Sequence, residues 1–186
     1  MNLHFLKGTF DEGTKSIKTT LSRLEKYKTK LDEHKVMIFH FKIAWMYMGN
    51  NQPAKSIKYL QSIINMTNIS LRIDIQAYAR LMFLMAHHDL GNDELLTSIL
   101  RSYKNFFEKH EITNKVQMLL FDFFRDIAKA PLLDKKDITK QYLKKLKLLE
   151  NNKYERRSFL YLDSISWLEA KVKNQSIAFI ISSKLK

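Results

Sequence analysis

The chain has 186 residues, of which 45% are hydrophobic and 12% aromatic, and this excludes an intrinsically disordered tail. Four glycines and two prolines are too few for the closely spaced turns of a sandwich or barrel. The absence of cysteine excludes a disulfide framework, a thiolate nucleophile and a cysteine-based metal centre.

The 32 Lys and Arg against 19 Asp and Glu give a formal charge of +13, a balance that favours acidic partners. The cations are scattered among acids, as on the solvated faces of ordinary helices. Residues 1–10 lack a basic segment followed by an apolar one, so no secretory leader is expected. No stretch reaches the roughly 18 consecutive apolar residues that span a bilayer. The expectation is a soluble, cytoplasmic protein with no membrane partner.

In chain order, residues 14–35 are expected as a helix with no complete mate before it. Residues 36–48 are apolar almost throughout (Val36, Met37, Ile38, Phe39, Phe41, Ile43, Ala44, Trp45), and a helix this apolar is buried on more than one side. Gly49-Asn50-Asn51 ends it, and Pro53 suits the first turn of a helix over 53–65 with Ile57, Leu60, Ile63 and Ile64 on one stripe. A second pair follows at 72–90 and 93–108, divided by Gly91-Asn92. A third spans 113–130 and 135–149 and breaks at Pro131. One long helix is expected over 153–173 and a short one within 174–186.

The pairs repeat. An offset of 42 residues aligns Gly49-Asn50 with Gly91-Asn92, Phe41 with Phe83, and Ala44 with Ala86, Ala128 and Ala170. Lys15-Ser16-Ile17-Lys18 recurs forty residues later as Lys55-Ser56-Ile57-Lys58. Periods in this range belong to stacked helical hairpins. The fold class expected is therefore all-α: one helical-repeat domain over 1–186, an α-α superhelix of antiparallel helix pairs. In it the unmated helix at 14–35 is either an amino-terminal cap or the mark of a chain that is the tail of a longer array. The second reading is favoured because terminal repeats carry a polar outer face.

Ala44-Trp45-Met46-Tyr47 resembles the small-x-x-Tyr signature of the first tetratricopeptide helix, and Ser56, Leu60 and Ile63 match the second. Residues 72–172 also resemble the carboxy-terminal part of an uncharacterised bacterial tetratricopeptide-like family. The second pair departs from the pattern, with Asp89 in place of the tyrosine. The resemblance implies a non-catalytic binding scaffold but no particular partner; the charge of the expected groove positions is what points to a protein or an acidic peptide. By the same resemblance, equivalent positions of the first helices line a groove. Those positions are Phe41, Trp45, Arg80, His87, Arg125, Lys129 and Lys171, aromatic at one end and basic beyond. A nucleic-acid-binding helical protein is the alternative, using the basic stretch from Lys135 to Lys147 and Arg156-Arg157.

No enzymatic motif stands out. His87 and His88 are helix neighbours pointing about 100° apart, not the i, i+4 pair that binds a metal, so no metal is expected. No phosphate loop, dinucleotide fingerprint or nucleophile elbow is present, and no cofactor is expected. Asp11-Glu12 and Asp32-Glu33 lie in charged segments that offer nothing to tune a carboxylate for acid–base work.

Overall fold

The computed structural model describes residues 1–66, 72–111 and 114–185, and among these every regular element is helical. Three short helices come first: α1 (Asn2–Lys7), α2 (Phe10–Lys15) and α3 (Ile17–Lys26), followed by a 3-10 turn at Lys28–Lys30. Three pairs of long helices follow: α4 (Glu33–Gly49) with α5 (Pro53–Ile64), α6 (Ile73–Asp89) with α7 (Asp93–Lys109), and α8 (Lys115–Lys129) with α9 (Lys135–Leu149). The chain closes with α10 (Arg156–Tyr161), α11 (Ser164–Lys173) and α12 (Ile177–Ser183).

Apolar pattern decides which helices lie inside. α4 and α6 are buried on more than one side, and α6 is buried continuously from Ile75 to Ala86. α5 and α7 carry one buried stripe each: Ser56, Leu60 and Ile63 in the first, Leu96, Leu100 and Tyr103 in the second. Each helix from α4 to α8 packs on the next, α9 packs on α11, and α4, α6 and α8 also touch one another in series. Side-chain oxygens of Asp32, Asn114, Asp163 and Ser176 cap the starts of α4, α8, α11 and α12 by accepting a backbone N–H three positions on.

Between the first two pairs the repeat is forty residues, not 42. Asn50, Asn51 and Gln52 donate their N–H groups to the carbonyls of Met46, Met48 and Tyr47. Leu90, Gly91 and Asn92 repeat these three bonds to Ala86, His88 and His87. The residue turning left-handed is Asn51 (φ 54) in one turn and Gly91 (φ 75) in the other, the two residue types that accept this conformation most readily. The two Gly-Asn dipeptides are therefore not equivalent. Gly49 is still helical and lies against the Phe10 ring, where a Cβ would come within 2.3 Å of ring carbons. The buried stripes agree, since Ser56, Leu60 and Ile63 correspond to Leu96, Leu100 and Tyr103.

Two long helices expected from periodicity are broken. The segment 14–35 is divided among α2, α3 and the 3-10 turn, with Asp32 starting α4. The segment 153–173 is interrupted at Leu162, which is buried and extended (φ −142, ψ 105), and Asp163 then caps a fresh helix through Ser166 N–H at 2.9 Å. That break seats Trp167 among Phe123, Phe124 and His88, with ring centroids 5.8–5.9 Å apart. Of the expected helix ends, Thr113 and Lys186 lie outside the described residues.

The two ends of the chain meet. α1 packs against α12, and Gly8 (φ 68) approaches so closely that a Cβ there would stand 2.7 Å from the Ala178 carbonyl oxygen. Among the described residues, no helix is long and apolar enough to cross a membrane.

Candidate functional site

Where the ends meet, they enclose a cleft of about 630 Å³, within the range that holds a small ligand or a peptide side chain. One wall is α4, which presents Ile38, Phe41, Lys42 and Trp45 at i, i+3, i+4 and i+7, a single helical face. The opposite wall comes from more than 100 residues later: Phe159, Leu160 and Tyr161 of α10 with Ile181 of α12. Phe5 and Leu6 of α1 lie across one side. Trp45 is held edge-on against Phe10 (centroids 6.5 Å apart), and Tyr161 is stacked on Tyr78 at 5.2 Å. The apolar floor is rigidly backed.

The charges around this floor are mostly committed. Arg72 adopts a left-handed backbone (φ 49), a cost of about 1 kcal/mol for a side-chain-bearing residue. Its guanidinium binds Asp74 through two nitrogens at 2.9 and 2.8 Å. Lys184 binds Glu169 and the Ser166 hydroxyl, both at 2.9 Å. Asp163 is occupied as the α11 cap. Lys42, half-buried on the α4 wall, forms no ion pair among the described residues. Glu150 is likewise free of ion pairs there, but it is exposed at the mouth.

Of the groove residues expected from sequence, only Phe41 and Trp45 line this cleft. Arg80 is 7% exposed: its guanidinium carbon stands 3.5 Å over the centre of the Phe106 ring, Nη1 donates to the Gln76 carbonyl, and burial pushes its pKa down to about 10. This cation is a core residue joining α6 to α7, not a groove residue. His87 packs on Phe83 at 4.5 Å, and burial lowers its pKa. Arg125 is bound to Asp122 at 2.7 Å and to Asp126 at 3.3 Å on its own helix, and Lys171 to Asp89 at 2.6 Å. Lys129 is exposed at the end of α8. No row of free cations runs from Arg80 to Lys171.

The neighbouring histidine does structural work. His88 Nδ1 lies 2.8 Å from Asp93, which also pairs with Lys135 of α9. Burial opposes ionisation of Asp93, but these two partners outweigh it and hold the carboxyl below the usual range. Asp89 accepts both contacts of the Trp167 Nε1–H at 3.1 Å. Among the described residues, no cluster of three His, Asp or Glu side chains could hold a metal ion.

The residues that sequence reasoning missed are Lys42 and the far wall. Lys42 was readable as part of the Ile38-Phe41-Lys42-Trp45 face. Phe159, Tyr161 and Ile181 had no local signal, because only ring closure between α1 and α12 brings them opposite α4. Comparison with known proteins gives no match, whether to a family model, a curated protein or a solved structure.

Proposed function

We propose that this chain is a non-catalytic protein- or peptide-binding scaffold of tetratricopeptide-like architecture. Its cleft receives one large apolar side chain of a partner segment, while Lys42 pairs with an adjacent carboxylate. The observation that carries this reading is a half-buried lysine without an ion pair on the wall of an otherwise apolar, aromatic cleft. A partner carboxylate at that lysine would make a charge-assisted hydrogen bond in a partly dry setting. An aromatic or aliphatic anchor in a rigid pocket is the usual centre of a binding hot spot. The turn repeated at forty residues and the serial contacts of α4, α6 and α8 support the hairpin-array architecture.

The test is selection from a peptide library on the immobilised protein, followed by titration through tryptophan fluorescence. Trp167 is fully buried away from the cleft, so a ligand-dependent change reports Trp45. Selected peptides are expected to share one large apolar residue beside Asp or Glu. Lys42→Glu and, at the mouth, Leu160→Glu should each weaken them about tenfold or more with an unchanged circular dichroism spectrum. Absence of enrichment, or binding indifferent to both substitutions, sinks the proposal. Capture of RNA that disappears steeply with added salt would favour the nucleic-acid alternative.

A further inference from the structure

A second surface lies away from the cleft, on the outer side of α9 and the turn before it. Pro131 to Asp134 form a tight turn, closed by Asp134 N–H on the Pro131 carbonyl at 3.0 Å. At its tip Leu132 is 82% exposed and Leu133 is 91% exposed. Two adjacent leucines held almost wholly in water bury nothing within the chain. At the other end of α9, Leu148 is 77% exposed.

Between these apolar ends, Lys136, Lys140 and Lys144 recur every four residues on the exposed side of three successive turns, with Lys145 beside them over the Tyr142 ring. Lys136 and Lys144 form no ion pair among the described residues, and Lys140 neutralises Asp137 at 2.7 Å. Asp134, at the start of the helix, is exposed as well. The helix itself is fixed: Lys135 is tied to Asp93 of α7, and Lys147 to Glu169 of α11. A basic row on a rigid helix thus ends in leucines at both sides.

We infer that this surface docks onto an anionic lipid bilayer, with the Leu132-Leu133 tip entering the headgroup region and the α9 lysines lying at the level of the lipid phosphates. The leucines decide between the polyanions. A nucleic-acid backbone rewards the lysines but gains nothing from an aliphatic pair, and a base-binding surface would present aromatic rings there. A bilayer rewards both, since apolar side chains insert below the headgroups while lysines reach out to the phosphates. The attachment lies on the membrane plane and does not depend on the cleft or its ligand.

Sedimentation with vesicles tests it. The protein should pellet with vesicles of phosphatidylcholine containing phosphatidylglycerol and stay in solution with phosphatidylcholine alone. Lys136→Ser and Lys144→Ser should each lower partitioning roughly fivefold. The double change Leu132→Ser with Leu133→Ser should lower it about tenfold or more with every lysine intact. These positions are so exposed that the fold should survive, which circular dichroism checks. Because the chain has no cysteine, an environment-sensitive dye on Leu133→Cys reports the tip alone and should shift to the blue on the anionic vesicles. Failure to pellet with them, an unshifted dye, or full binding by the leucine variant overturns the inference. Retention by a poly-uridine oligonucleotide without retention by vesicles overturns it in favour of nucleic acid.

Discussion

The Trp167 indole N–H is shared between the two carboxylate oxygens of Asp89, 3.1 Å from each, although the residues are 78 positions apart. This bond ties the end of α6 to α11. Lys171, one turn after Trp167, balances the carboxylate from the solvent side at 2.6 Å. Asp89 is only 9% exposed, so removing it leaves a buried indole donor without an acceptor. Asp89→Ala is expected to cost about 2–4 kcal/mol in urea unfolding. Asp89→Asn keeps an acceptor and should cost visibly less. Equal losses for the two variants would show that the indole bond is not what matters.

Arg80 should behave as a core residue. Its guanidinium carbon stands over the Phe106 ring and is shielded from water, a contact worth about 2 kcal/mol when desolvated. Arg80→Ala is expected to lower stability by at least that much, and Arg80→Lys should not restore it, because an ammonium cannot stack as a planar group does. A surface cation would tolerate both changes within about 0.5 kcal/mol, and thermal or urea unfolding separates the two outcomes.

Gly49 is required by close approach rather than by backbone freedom. Any Cβ there runs into the Phe10 ring, so Gly49→Ala should destabilise by about 1–3 kcal/mol. Combining it with Phe10→Leu should recover part of the loss. Strict additivity of the two substitutions would show that ring and Cβ do not compete for the same space.

His40 gives stability a dependence on pH. Burial, aided by Lys58, holds its pKa below the ordinary 6.5, and Nδ1 lies 2.6 Å from the Ser62 hydroxyl. The unfolded chain therefore takes up the proton first as pH falls through 6.5. Stability present at neutral pH is lost between that value and the lower folded pKa. His87, also lowered by burial, adds in the same direction. Unfolding free energy measured from pH 7.5 down to pH 5.5 should decline, and less steeply in His40→Gln. A slope unchanged by that substitution would exclude His40 as a source.

Helix identity was legible wherever the apolar pattern was long and the punctuation local. α9 was read with its observed bounds, and α4 to α7 within a few residues, because Pro53, Gly91-Asn92 and Pro131 mark their ends. The repeat was read two residues out of register, since Gly49 looks like a turn residue but serves a ring. Asn51 carries the turn instead. The break at Leu162 is a tertiary effect: an apolar residue leaves the helix to stay buried, while Asp163 supplies the new cap. Half of the cleft was legible as one α4 face. The rest was not, because residue spacing says nothing about which distant helices will close a ring.

That ring bears on how the molecule comes apart. A row of hairpins touching only their neighbours loosens from either end, each unit adding its own increment. Here the seam between α1 and α12 ties the first helix to the last, so neither end can peel away without opening the other. Hydrogen exchange should then show protection at α4 and α11 lost in a single cooperative step rather than in a gradient along the chain. A bulky residue in place of Gly8 would pry open that seam and turn the step into a gradient, with the wall of the cleft among the first parts to loosen.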